Sequence, residues 1–113
     1  MSVEKKGHEA VAAEFRDAVN MTAVEIERWL ETKESHSVGW TRKGETESVG
    51  HQSGRRIAEM LRKKKSDLSD ADYDHMVKVV GYVRRHLAQR PARDVTTTRW
   101  RYSLMNWGHD PLK

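Results

Sequence analysis

The sequence predicts an all-α fold, a compact bundle of four to five helices. Apolar residues recur at helical spacing in several segments, and capping residues stand where those segments begin. The 113 residues fit one domain and contain no run of about 18 apolar residues that could span a membrane. We therefore expect a single helical domain over residues 8–113 and a flexible N-terminus over residues 1–7.

Two helices are predicted before residue 35. Apolar residues at i, i+4 and i+7 (Val11, Phe15 and Ala18) predict the first, over residues 9–19. Thr22 and Glu25 have the spacing of a capping box, in which each side chain accepts a hydrogen bond from the other's backbone amide. The second helix is therefore expected to follow Thr22.

The middle of the chain predicts a loop and then a third helix. Residues 35–47 are rich in Gly, Ser, Thr, Lys and Glu, and such long loops are usually functional or disordered. The third helix is expected to begin between residues 47 and 53 and to end near Lys65. Gly50 and Gly54 at its start are expected to permit close packing or a turn.

The fourth helix has the clearest periodicity in the chain. Ser69 is a good N-cap, and Pro91 ends the helix. The face expected to point inward carries Tyr73, Met76, Val77, Val80, Val83 and Leu87. The face expected to point outward carries His75, Lys78, Tyr82, Arg85, His86 and Gln89.

A Trp-rich segment closes the chain and predicts a short terminal helix. Trp100, Leu104 and Trp107 recur at i, i+4 and i+7. We expect both tryptophans to enter the core, because exposing so much apolar surface is costly. His109 and Asp110 follow the predicted helix end, and their role stays open.

Charge divides the chain into two parts. Residues 1–34 hold 5 basic and 8 acidic side chains, a net of −3, whereas residues 35–113 have a net of +7. A cationic surface attracts polyanions and could bind nucleic acid, although basic runs are also common on solvated surfaces.

The candidate nucleic-acid-binding residues lie on two predicted helices and on the loop. The third helix supplies Arg55, Arg56, Arg62, Lys63, Lys64 and Lys65; the fourth supplies Lys78, Tyr82, Arg85, His86 and Gln89; the loop supplies Trp40, Arg42 and Lys43. Lys and Arg neutralise phosphates, Tyr and Gln donate to phosphate or sugar, and Trp40 could stack on a base or fold back over the core. Acidic residues at the start of the fourth helix disfavour base readout there, so we expect mainly non-specific backbone contacts.

Three long motifs resemble a known family. They are E-S-V-G-H-x-S-G-R-R-I at residues 47–57, H-M-x-K-V-x-x-Y-V-x-R-H-L-A-Q-R-P at residues 75–91, and R-W-R-Y-S-L-M-N-W-G-H-D-P at residues 99–111. Together they resemble a small, uncharacterised domain-of-unknown-function family of bacteria and fungi, some members of which carry the label "DNA-binding protein". The resemblance covers roughly residues 10–113. It implies nucleic-acid binding but brings no established site residues.

Catalytic and metal chemistry find little support in the pattern. Zero cysteine excludes disulfides and thiol nucleophiles. Glu47 with His51, and Asp72 with His75, have helical spacings that metal ligands use, but neither pair has a second pair at fixed spacing. Ser53 stands in no nucleophile elbow. We therefore expect no enzyme, no catalytic or metal residues, no cofactor and no small-molecule substrate.

The sequence is compatible with two functions from different classes. The first is binding of DNA, or of RNA, with a cytoplasmic location that is nucleoid-associated if the ligand is DNA. The second is a protein-interaction or homo-oligomerising module, such as a homodimer, in which acidic and basic patches meet and nucleic acid has no role. No membrane partner is expected.

Overall fold

A computed structural model describes residues 5–113 of the chain, with side chains from Gly7 onward. Within this range the chain forms six α-helices and no strand, which confirms the all-α bundle. The helices are α1 (Lys5–Ala18), α2 (Ala23–Leu30), α3 (Lys33–His36), α4 (Val49–Arg62), α5 (Asp70–Leu87) and α6 (Arg99–Asn106). Of the N-terminus predicted to be flexible, residues 1–4 lie outside the described part, and α1 begins at Lys5. No helix in the described part is long and apolar enough to cross a membrane.

Two helix pairs and one bridging helix make up the bundle. α1 packs on α5, α2 packs on α4, and α6 contacts α2, α3, α4 and α5. One apolar cluster joins α1, α2, α4, α5 and α6, with Ile26, Ile57, Val79 and Leu104 fully buried at its centre. Because α4 and α5 pack mainly on other helices, a cleft lies between them.

The predicted caps are present at the starts of α2 and α5. The amide of Thr22 donates to Glu25 Oε1 at 2.8 Å, and the amide of Glu25 donates to Thr22 Oγ1 at 3.2 Å. Ser69 and Asp72 form the same reciprocal arrangement at the start of α5. These bonds join residues three apart, so the sequence predicts the capping box at Thr22 and the N-cap at Ser69.

Two element boundaries differ from the prediction. α4 ends at Arg62, not near Lys65, because Lys63 has an extended backbone, and Lys65–Asp67 form a separate 3-10 turn. The predicted loop at residues 35–47 begins later, because α3 forms a helical turn capped by the Thr32 hydroxyl. Residues 37–48 are free of helix.

The faces of α5 also differ from the prediction. Val77, expected inside, is 48% exposed, whereas Val79 is fully buried. Tyr82 and His86, expected outside, pack inward: the Tyr82 ring stacks on Trp107 with centroids 4.3 Å apart, and His86 Nε2 lies 3.1 Å from the Trp100 carbonyl oxygen. The helical periodicity predicts one apolar face on α5, but α5 is covered by α1 on one side and by α6 on another. The side chains that face α6 are therefore buried although they lie outside the predicted apolar face.

The C-terminal segment docks on the corner between α1 and α2. Trp100 and Trp107 are buried, as predicted. Asp110 and Asn20 exchange two hydrogen bonds of 2.8 and 2.9 Å between the side chain of Asn20 and the backbone of Asp110. His109 Nδ1 lies 2.7 Å from the Ala18 carbonyl oxygen. His109 and Asp110 therefore have a structural role that the sequence leaves open.

Candidate nucleic-acid interface

The cleft between α4 and α5 has a volume of about 660 Å³. Five cationic side chains line it, against two carboxylates. The cations are Arg42 from the loop, Arg55, Arg56 and Lys63 from the α4 side, and Lys78 from α5; the carboxylates are Glu59 and Asp72. Three separate segments thus contribute positive charge to one place.

Helical spacing brings the polar residues of each helix to the cleft. On α4, Ser53 and Arg56 are three residues apart, and Lys63 follows two turns after Arg56. On α5, Asp72, His75 and Lys78 follow one another at intervals of three. Trp107, which comes directly after α6, also lines the cleft.

Asp72 is neutralised within the protein. Its Oδ2 accepts hydrogen bonds from Lys63 Nζ at 2.8 Å and from the Ser69 amide at 3.0 Å, and its Oδ1 lies 3.5 Å from an Arg56 nitrogen. Burial acts to raise the pKa of this carboxyl, but the hydrogen bonds from Lys63 and Ser69 outweigh it and lower the pKa to about 2. The carboxylate therefore stays charged and holds two of the cleft cations in place.

His75 forms a pair with Ser53 across the cleft. Ser53 Oγ and His75 Nε2 lie 2.9 Å apart. Burial, and then the charges of Arg56 and Lys78, lower the pKa of His75 to about 4, while Asp72 acts in the opposite direction. The imidazole is thus neutral at pH 7, and the buried Ser53 hydroxyl holds it against α4.

Only some of the predicted nucleic-acid-binding residues line the cleft. Arg55 is bound by Glu47 through two hydrogen bonds of 2.5 and 2.9 Å at the edge of the cleft. Arg62 faces α2, where it binds Glu27 with a shortest distance of 2.6 Å, and Lys65 lies 3.9 Å from Glu9 of α1. Lys43, Lys64, Arg85 and Gln89 are exposed outside the cleft lining. The ion pairs with α1 and α2 explain why Arg62 and Lys65 do not join the other cations.

Trp40 is the most exposed large apolar side chain of the described residues, with 69% of its surface accessible. Its backbone is nonetheless fixed, because its carbonyl oxygen accepts a 2.8 Å hydrogen bond from the Val49 amide at the start of α4. Of the two alternatives for this loop, folding back over the core is wrong: the indole stands at the surface.

The residue pairs considered as metal ligands are used otherwise. His51 Nδ1 is hydrogen-bonded to Glu47, and its Nε2 lies 2.7 Å from the Leu30 carbonyl oxygen, so both ring nitrogens have protein partners. In the part of the chain that the structure describes, no three His, Asp or Glu side chains converge on one point.

Sequence reasoning missed the Ser53–His75 pair and the role of Asp72. Ser53 and His75 are 22 residues apart, and no local pattern connects them. The sequence does contain a pattern that predicts the bond between Asp72 and the Ser69 amide, because Asp72 stands three residues after Ser69, the spacing of a capping box.

Comparison with known families gives one match. Residues 14–105 match a family described as "Protein of unknown function (DUF3140)". The chain belongs to this family. The family match confirms the resemblance drawn from the three motifs. It covers α2 to α5 completely, the end of α1 from residue 14, and all of α6 except its last residue. We found no significant match to a curated protein or to a solved structure.

Proposed function

We propose that the protein binds nucleic acid through the phosphate backbone, with the α4–α5 cleft as the main contact. The convergence of five cations from three segments on one cleft carries this proposal. Proteins hold nucleic-acid phosphates with Arg and Lys side chains, and such contacts supply most non-specific affinity.

The electrostatics of the cleft favour an anion over a neutral ligand. Asp72 is already held by Lys63 and Ser69, so its charge is compensated within the protein. Lys78 is exposed and forms no ion pair with a described residue. His75 is neutral at pH 7 and places no negative charge in the cleft. The cleft therefore has positive charge available for phosphate oxygens.

The test is a salt-titrated binding assay on matched variants. We expect the double variant R56Q/K78Q to bind a labelled oligonucleotide several-fold more weakly at low salt. The slope of log affinity against log salt should fall by about 1.5, since each lost phosphate contact removes about 0.7–0.9. Fluorescence anisotropy at several salt concentrations measures both quantities.

The control is R28Q/K33Q, which removes the same net charge from exposed positions on α2 and α3, outside the cleft lining. Its affinity should stay within about two-fold of the wild type, because the lost charges lie away from the bound phosphates. Equal losses in both double variants would place binding on the overall charge and contradict a cleft site. Absence of binding to any polynucleotide at low salt, with a dimer seen by light scattering, would favour the protein-interaction alternative.

A further inference from the structure

An apolar recess adjoins the cationic cleft. It has a volume of about 230 Å³, and its lining comprises Gly39, Trp40, Val49, Gly50, Tyr82, Ser103, Asn106 and Trp107. Val49 and Trp107 line both the recess and the cleft, so the two cavities are neighbours. A molecule with a phosphate in the cleft can therefore reach the recess with an attached group.

The recess is preformed by aromatic packing. The rings of Trp107 and Tyr82 lie nearly parallel, at 14° with centroids 4.3 Å apart, and Tyr82 stacks in turn on His86. Trp40 borders the recess from the loop, where the hydrogen bond from the Val49 amide holds its backbone. Three aromatic side chains thus border a space that needs little rearrangement to accept a ring.

Gly50 keeps the recess open on the α4 side. A Cβ atom at this position would lie 3.0 Å from Trp107 Nε1, so a side chain would press on the indole. On the opposite side, Gly39 has a φ of +96°, which is accessible mainly to glycine and turns the loop so that Trp40 follows directly.

Few hydrogen-bonding groups in the recess are available to a ligand. The side-chain amide of Asn106 is occupied by Trp29 and Ser35. The other polar side-chain groups of the lining are the hydroxyls of Ser103 and Tyr82 and the indole N–H groups of Trp40 and Trp107. The recess thus favours a flat ring bound by stacking, with little discrimination between rings of different hydrogen-bonding pattern.

We propose that this recess binds one unpaired base of a single-stranded nucleic acid whose phosphates lie in the α4–α5 cleft. This inference rests on the proposed function. The recess is smaller than the roughly 300–1,000 Å³ of a typical ligand pocket, so it suits one ring and not a whole nucleotide. Bases of a duplex are stacked within the helix and cannot enter without being extruded, whereas those of a single strand are free to stack on aromatic side chains.

The experiment compares three labelled probes of equal length: an oligothymidylate, a DNA duplex, and an abasic strand that has the sugar–phosphate backbone without bases. We expect wild-type protein to bind oligothymidylate more tightly than the other two. W40A should weaken oligothymidylate binding at least about five-fold, the lower limit for losing one base–aromatic stack. Its affinity for the duplex and the abasic strand should stay within about two-fold of wild type.

Two further variants separate the ring from its surroundings. W40F retains an aromatic ring and should recover most of the oligothymidylate affinity, while R42A removes a loop charge that lines the cleft and should weaken all three probes alike. Trp40 is exposed, so none of these changes removes core packing.

The outcomes distinguish the two proposals. If no probe binds at low salt, the proposed function itself fails. If all probes bind equally, or W40A affects all of them equally, backbone binding stands and the base site is overturned.

Discussion

At the scale of single residues, His75 is the most informative side chain of the cleft. Its ring contacts Ser53; burial, and then the charges of Arg56 and Lys78, disfavour the protonated form, whereas Asp72 favours it. In the unfolded chain these neighbours are absent and the pKa returns to its ordinary value of 6.5. The unfolded state therefore binds more protons than the folded state between pH 6.5 and about 4.

We expect the free energy of unfolding to fall as the pH is lowered through this window. The slope for one group is at most about 1.4 kcal/mol per pH unit, and it is reached only where the two states differ by a full proton. H75Q keeps a hydrogen-bonding group that does not titrate and should show a shallower slope. Urea unfolding of both proteins at several pH values between 7 and 4 measures the difference; identical slopes would contradict the shifted pKa.

Asn106 illustrates what a sequence pattern misses at this scale. Its Oδ1 accepts hydrogen bonds from Trp29 Nε1 at 2.7 Å and from Ser35 Oγ at 2.6 Å, and its Nδ2 donates to the Ser35 carbonyl oxygen. These partners are 77 and 71 residues away along the chain. A buried amide needs such partners, but nothing near Asn106 in the sequence identifies them.

At the scale of elements, α4 has two functional faces. One carries the cleft residues, and the other packs closely on α2 and α6 through Gly54. A Cβ atom at Gly54 would lie 2.5 Å from the Asn106 carbonyl oxygen and 2.9 Å from Leu30 Cδ2. The two glycines of α4 were predicted to permit close packing or a turn, and Gly54 serves close packing within the chain.

G54A should therefore destabilise the fold although alanine favours helix. The clash with a backbone atom costs about 1–3 kcal/mol, which outweighs the gain of about 1 kcal/mol in helix propensity. G81A in α5 is the matched control, because its Cβ would meet only the flexible end of Arg85. Urea unfolding should give a lower midpoint for G54A and an unchanged or higher one for G81A; a stabilised G54A would disprove the close approach.

At the scale of the whole molecule, the C-terminal tail holds the corner between α1 and α2. Besides its bonds to Asn20, Asp110 accepts two hydrogen bonds of 3.1 Å from the Arg101 guanidinium. Burial acts to raise the pKa of Asp110, but the hydrogen bonds from Arg101 and from the Leu112 amide lower it overall. The carboxylate thus connects α6 to the tail that covers the α1–α2 corner.

We expect D110A to lower the free energy of unfolding by about 1–3 kcal/mol, because the half-buried guanidinium of Arg101 loses its carboxylate and keeps only the Thr96 carbonyl oxygen as an acceptor. D94A removes an exposed carboxylate that bonds only to nearby Thr96 and should have a smaller effect. Since one core joins α1, α2, α4, α5 and α6, tryptophan fluorescence and far-UV circular dichroism should report the same transition in both variants. An effect of D94A as large as that of D110A would contradict the role of the tail.

The sequence alone determined the local features of this protein. Helical periodicity, the caps at Thr22 and Ser69, the burial of Trp100 and Trp107 and the uneven charge follow from residue types at short spacing. The tertiary structure decided which faces are covered and which charges meet. Arg56 and Lys78 share a cleft while Arg62 turns to Glu27, and Tyr82 borders a recess with Trp40 and Trp107. The physical reason is that burial and ion pairing depend on contacts between residues far apart in the chain, which only the packing of the helices creates.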